Sequence, residues 1–241
     1  MNEMSTATKE LQNQFDESLQ TGSIQSAQRA LDALWEKYEE DDRNNKNEAL
    51  ATTLAESFSK IGARYQESSD IFAMLDCVCT CRDLLGDFPS NDTCAYCFLE
   101  CMTGLLYLKN MMREDGMVEE FSDEVYEIAR RFANNEKICG KACNCLANMI
   151  PLCGGYDAPL SLAYRAVDMI ASISAMHPNS EVVQTVLGHA LISACAIAAK
   201  TQNSSRLAHY KEQLDLFLQE KKGVYNTVEI FLHRTQVKLS V

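Results

Sequence analysis

The chain has 241 residues and a formal net charge of −12 at pH 7. Ten glycines and four prolines leave too few turns for an all-β fold. The acids crowd the front, with 14 against 7 bases in residues 1–70 and 13 against 7 in residues 71–150, whereas residues 151–241 hold 7 against 8. An acidic front of that size repels phosphate backbones and argues against DNA or RNA as the main ligand.

In chain order, residues 1–22 are polar and helix-forming, with none of the apolar core of a secretory signal. The first helix is expected from Thr6 to Gln20, stopping at Thr21-Gly22. Ser23 then caps a second helix that runs to about Tyr38, with Ile24, Ala27, Leu31, Leu34 and Tyr38 on one face. A charged link, Glu39 to Lys46, leads to Asn47.

Asn47 opens a series: Asn91, Asn135 and Asn179 follow, each 44 positions after the last. Glu48, Asp92 and Glu136 stand directly after the first three, and Ser180 after the fourth. Apolar residues recur 3, 7, 11 and 14 positions beyond each asparagine. The sets are Leu50, Leu54, Phe58, Ile61; Cys94, Phe98, Met102, Leu105; Ile138, Ala142, Leu146, Met149; and Val182, Val186, Ala190, Ser193, of which only the last member is polar. At about 100° per residue these offsets share an arc of about 80°, the buried stripe of an amphipathic helix. Each asparagine therefore reads as an N-cap, with the acid after it facing the positive end of the helix dipole.

The stripe of the second helix returns in the segments between these. It recurs as Met74, Cys77, Cys81, Leu84, Phe88, then as Val118, Phe121, Val125, Ile128, Phe132. A copy carrying one charge follows at Leu162, Arg165, Met169, Ser172, Met176, and a last one at Leu207, Tyr210, Leu214, Phe217, Lys221. A polar closing helix is expected over about Val224 to Leu239. The sum is one leading helix and five antiparallel pairs. Repeats of this length stack because one pair alone cannot bury its stripe.

The expected fold is all-α: a right-handed α-α superhelix of about five helix pairs on a 44-residue repeat, preceded by an N-terminal helix. Residues 1–241 are expected to form a single repeat domain. The longest apolar run, Val186 to Ala199, is interrupted by Gly188, His189 and Ser193 and is read as a buried helix, too short to span a bilayer.

At this point the chain resembles the α-solenoid repeat superfamily of HEAT, armadillo and tetratricopeptide-like arrays. The segment from Asn179 to Leu191 is similar to a HEAT second helix in its apolar and small positions, although the arginine common after the valine is replaced by Val183. The resemblance implies the architecture and the general role of such arrays, partner binding, and assigns no residue a role.

Eleven cysteines, an odd number, in a chain without a secretory signal imply free thiols in a reducing cytoplasm. Cys94, Cys97 and Cys101 share a helical face, Cys77 and Cys81 lie one turn apart, and so do Cys139 and Cys143. Cys94, Cys81, Cys143 and Cys139 stand where other repeats carry aliphatic residues, so they read as small core side chains. Cys97 is the exception, expected to point away from the stripe and to react. An alternative reading makes the span Cys94 to Cys153 a metal- or redox-responsive cluster.

The four histidines share no ligand-like spacing, and the phosphate-cradling, nucleophile-elbow and H-E-x-x-H motifs are absent from the sequence. The expectation is therefore a non-enzymatic scaffold or adaptor, without cofactor or metal, that binds a protein or peptide and neither nucleic acid nor membrane. Equal offsets on successive second helices line up as ladders in a stack. The residues expected to face the partner are Tyr96, Glu100, Tyr107, Lys141, Asn144 and Gln184.

Overall fold

The computed structural model describes residues 6–40, 47–112, 118–153 and 159–220. Among them there is no strand. Ten helices follow one another: α1 (Thr6–Gln20), α2 (Ile24–Glu40), α3 (Glu48–Ser68), α4 (Ile71–Asp87), α5 (Asp92–Met112), α6 (Val118–Arg131), α7 (Glu136–Met149), α8 (Leu160–Met176), α9 (Glu181–Lys200) and α10 (Ser204–Glu220). A short 3-10 turn, Ile150–Leu152, follows α7. The closing helix expected over about Val224 to Leu239 lies outside the described residues.

The chain divides into two compact units, Met1–Leu108 and Lys109–Val241. In the first, α1 packs on α2, α2 on α3, and α3 on α4. Side chains also reach the helix after next. Lys60 Nζ donates to Asp16 at 2.9 Å and Ser57 Oγ to Gln12 at 3.2 Å, tying α3 to α1. Tyr38 OH donates to Asp87 at 2.7 Å, tying α2 to the end of α4. In the second unit α6 through α10 pack consecutively, and α6 meets α8 while α7 meets α9. Arg165 donates to Ser122 at 2.9 Å, Tyr126 OH to Ser172 at 3.1 Å, and Tyr210 OH to Asp168 at 3.4 Å.

The second helices begin where side-chain oxygens meet orphan backbone N–H groups. Asn47 accepts from Ala49 and Leu50, Asn91 from Cys94, and Asn135 from Ile138. The fourth cap differs from expectation. It is Ser180, not Asn179, and its hydroxyl accepts from Val183 N at 3.3 Å. With that correction an acid opens all four helices, Glu181 included.

The buried face of α9 moves by one residue with its cap. Val183, Leu191 and Ala194 are buried; of the expected stripe Val186 and Ala190 are buried too, whereas Val182 is 55% exposed and Ser193 is half-buried. The same slip appears in α8. Arg165 and Ser172 are exposed, while Ala163, Ala166, Ile170 and Ile173 are buried; Leu162 of the expected stripe is buried as well. One residue changes a helical face by about 100°, so a single extra residue between Met149 and Ala163 moves both helices together. Leu207, Tyr210, Leu214 and Phe217 then follow the α8 positions by 44.

α9 corrects a second reading. By length and composition alone its 20 residues are apolar enough to cross a membrane, so it is not too short; ten of them are buried inside the protein, as expected of a buried helix, and the helix packs against α7, α8 and α10. Gly188, His189 and Ser193 do not offset its many aliphatic side chains.

Close approach of α3, α4 and α5 depends on Gly104. A Cβ placed there would stand 2.5 Å from Met74 Cε and 3.0 Å from Gln66 Oε1. The absent side chain leaves the space that Met74, 2% exposed, fills.

Asn91 does more than cap. Its Nδ2 donates to Glu48 Oε1 and Thr52 Oγ1, both at 3.0 Å, so the start of α5 is pinned to the start of α3. Asn91→Ala is expected to cost about 2 kcal/mol, about 1 for the cap and the rest for the two bonds. Asn91→Asp keeps the cap oxygen, removes the donor and sets a second carboxylate beside Glu48, for an expected loss of about 1 kcal/mol. Urea midpoints separate the two. An aspartate variant as stable as the parent would mean that the bonds to Glu48 and Thr52 contribute nothing.

Candidate interaction surface

The outward positions of α5 form one narrow stripe. Asp92 and Tyr107 are exposed, and Tyr96, Glu100 and Thr103 between them are half-buried. Their spacing of three to four residues keeps them on one side of a helix. On its other sides α5 buries Cys94, Ala95, Cys97, Phe98, Leu99, Cys101, Met102, Leu105, Leu106 and Leu108. A helix buried on so many sides presents little to solvent, and what it presents here is two tyrosines, two acids and Thr103, whose hydroxyl donates to the Leu99 carbonyl at 2.7 Å. Tyr107, at 49% exposure, is one of few large side chains left open.

In the second unit Lys141 and Asn144 lie half-buried on α7. One turn on, the Asn148 carbonyl accepts from Asn110 Nδ2 at 2.8 Å. Five of the six expected residues therefore keep some exposure. The sixth, Gln184, does not. It is 4% exposed, and its Nε2 donates to Ser174 O, Ser174 Oγ and His177 O at 3.1, 2.7 and 3.0 Å. Gln184 fastens the first turn of α9 to the end of α8.

Gly140, 44 positions after Tyr96, and Gly188, 44 after Asn144, are also interior. A Cβ on Gly140 would meet Val182 Cγ1 at 3.2 Å. The cause is geometric. α7 packs against α6, α8 and α9, so positions on the flank of its buried stripe face the next helix rather than water. On α9 Thr185, which the ladder through Lys141 included, is half-buried, and so is His189, which the ladder through Asn144 missed because it was counted from Asn179. The signal was present: Ser180 is as good a cap former as its neighbour, and it is followed by an acid.

The thiols follow the same geometry. No disulfide joins any of the eleven cysteines; nine are buried, Cys153 is half-buried and Cys79 is exposed. Cys94 and Cys97 are both pushed up to about 12 by burial, with Glu48 and Glu56 adding to the effect at Cys94, and Cys101 and Glu56 at Cys97. Burial also raises the thiols of Cys139 and Cys143. The Cys139 thiol points at the Ala129 and Phe132 carbonyls, 3.6 Å from each, at the end of α6.

The expectation that Cys97 points outward is overturned, since it is only 4% exposed. Its flank of α5 is covered, as the flank of α7 is. Among the described residues no three His, Cys, Asp or Glu side chains are grouped to hold a metal ion. Under native conditions a thiol-specific reagent is therefore expected to modify Cys79 first, Cys153 slowly, and Cys94, Cys97, Cys139 and Cys143 only as the chain unfolds. Mass mapping after a short alkylation checks this, and a fast label on Cys97 would contradict its burial.

Compared with known proteins, the chain matches no family model, no curated protein and no solved structure.

Proposed function

We propose that the chain is a non-enzymatic, cytoplasmic binding module that captures a protein or peptide along the outward faces of its second helices. Its helices belong, on this reading, to a right-handed α-solenoid on a 44-residue repeat, like the HEAT, armadillo and tetratricopeptide arrays. The side-chain bonds between next-but-one helices support this. Lys60 to Asp16, Asn91 to Glu48, Tyr126 to Ser172 and Tyr210 to Asp168 join residues 44, 43, 46 and 42 apart, each close to one repeat. Stacked pairs produce that signature, because each helix lies beside its equivalent in the next pair.

The observation that carries the binding role is the α5 stripe of Tyr96, Glu100, Thr103 and Tyr107. Tyrosine offers contact area at low entropic cost, and the polar neighbours suit a peptide backbone. The acidic balance and the mixed chemistry of the stripe favour a protein or peptide over nucleic acid or membrane, and no step of the proposal needs a cofactor.

Paired substitutions test it. Tyr96→Ala with Tyr107→Ala on α5, and separately Lys141→Ala with Asn144→Ala on α7, are expected to weaken capture of a partner that the parent chain retains, with the melting temperature nearly unchanged. Arg82→Ala with Glu127→Ala, on first helices, is the control. Loss of capture in the control pair alone would place the binding face on the first helices.

A further inference from the structure

Two thiols in the first unit are packed in van der Waals contact. Cys81 on α4 and Cys101 on α5 have their sulfurs 3.9 Å apart, and the side chains are 0% and 1% exposed. Cys81 Sγ also lies 3.9 Å from the Ala55 carbonyl of α3. Beside the pair, Gly62 of α3 leaves room: a Cβ there would stand 3.6 Å from Cys101 Sγ. A disulfide holds its sulfurs at about 2.05 Å, so each sulfur here needs to move about 1 Å, within reach of a side-chain rotation between helices that are already adjacent. Cys77 and Cys97 lie one turn before the two partners on the same helices and are the local competitors.

We propose that Cys81 and Cys101 form a disulfide across α4 and α5 when the first unit opens in an oxidising glutathione pool and closes again. In the closed unit the reaction is slow, because the thiolate is the nucleophile and the Cys81 thiol is held well above its ordinary range by its bond to Cys101 and by burial. In the opened unit one of the two thiols loses its proton and attacks glutathione disulfide. One glutathione thiolate leaves and a mixed disulfide remains. As the helices pack again, the second protein sulfur, its proton lost, attacks the protein-side sulfur of that mixed disulfide and expels the second glutathione. Two protein thiols have then given up two electrons and two protons, and one glutathione disulfide has become two molecules of glutathione. The link closes the α4–α5 hairpin and resists its reopening.

The test is to hold the full chain in a glutathione redox buffer, with and without urea just below its midpoint, then alkylate, digest and map the links by mass spectrometry. A largely unfolded chain favours short closures such as Cys77–Cys79, Cys79–Cys81 and Cys94–Cys97. The proposal expects Cys81–Cys101 to exceed each of these several-fold in the urea sample, to form at least tenfold more slowly without urea, and to give a product with a higher urea midpoint than the reduced chain. Cys81→Ala and Cys101→Ala should each abolish that link, while Cys77→Ala and Cys97→Ala, which leave the pair intact, should not. A ladder of short closures without preference for Cys81–Cys101 would overturn the proposal. So would a linked product less stable than the reduced chain, or purified protein carrying stoichiometric zinc or copper on these thiols.

Discussion

Raising the pH from 8 to about 10.5 is expected to unfold the chain in a steep transition. Cys77, Cys81, Cys97 and Cys143 are buried with their thiols protonated and their pKa values pushed up; burial is the main cause at Cys77, Cys97 and Cys143, and the bond to Cys101 leads at Cys81. The ordinary value is 9.0, and that of Cys97 rises to about 12.

A group whose folded pKa is raised contributes its full stability below the unfolded pKa and loses it as pH climbs toward the folded one. The window here therefore opens near pH 9 and extends to about 12. Within it each thiol that stays protonated in the fold costs about 1.4 kcal/mol of stability per pH unit. Four of them cost roughly 5 kcal/mol per unit, against a total of about 5–15 kcal/mol for a typical domain. Tyr65 and Tyr210, both raised to about 12 chiefly by burial, add to the slope above pH 10. Far-ultraviolet circular dichroism and thiolate absorbance, followed together under reductant, check this: helix loss and thiolate formation should coincide. Thiolates that titrate near pH 9 with the helices intact would show these sulfurs to be in contact with water.

The caps were legible in the sequence for a physical reason. An N-cap needs one of a few side chains, its acid follows at once, and the buried stripe restarts from it. Asn47, Asn91 and Asn135 carry all three marks. The fourth site offered Asn179 and Ser180 side by side, and counting by 44 chose the wrong one. The extra residue that moved the register lies between Met149 and Ala163, in a connection whose length no stripe records. Arg165 and Val182 were the symptoms: a charge and a branched apolar residue assigned to buried positions that the fold leaves exposed.

The surface was less legible than the core. A single stripe describes a helix with one covered side, whereas α5 and α9 are covered on several. Cys97, Gly140 and Gln184 lie on flanks that appear open when a helix is drawn alone. The offset of Tyr107 points directly away from the stripe, and its side chain keeps 49% of its surface exposed.

Gln184→Glu is expected to be among the most damaging single changes in the second unit, although it alters few atoms. The Gln184 amide has two hydrogens, shared among the Ser174 carbonyl, the Ser174 hydroxyl and the His177 carbonyl. Two of these acceptors are backbone oxygens at the negative end of α8. A carboxylate there turns a donor into an acceptor and sets a charge against them at a site only 4% exposed. The expected cost at pH 7 is about 3–5 kcal/mol, the range for an unpaired buried charge. Gln184→Leu removes the donor without adding charge and should cost about 2 kcal/mol, for carbonyls left without their partner.

The two variants separate by pH. The glutamate is disfavoured as an anion, so its folded pKa lies above the ordinary value near 4.3. Stability is then present below that value and lost as pH rises through the folded one. Lowering the pH from 7 to about 4.5 should move the urea midpoint of the glutamate variant toward that of the leucine variant, because the protonated acid recovers one O–H donor. Equal gaps between the variants at both pH values would mean that the side chain has swung out to water. Loss of partner capture without loss of stability would return Gln184 to the interaction surface.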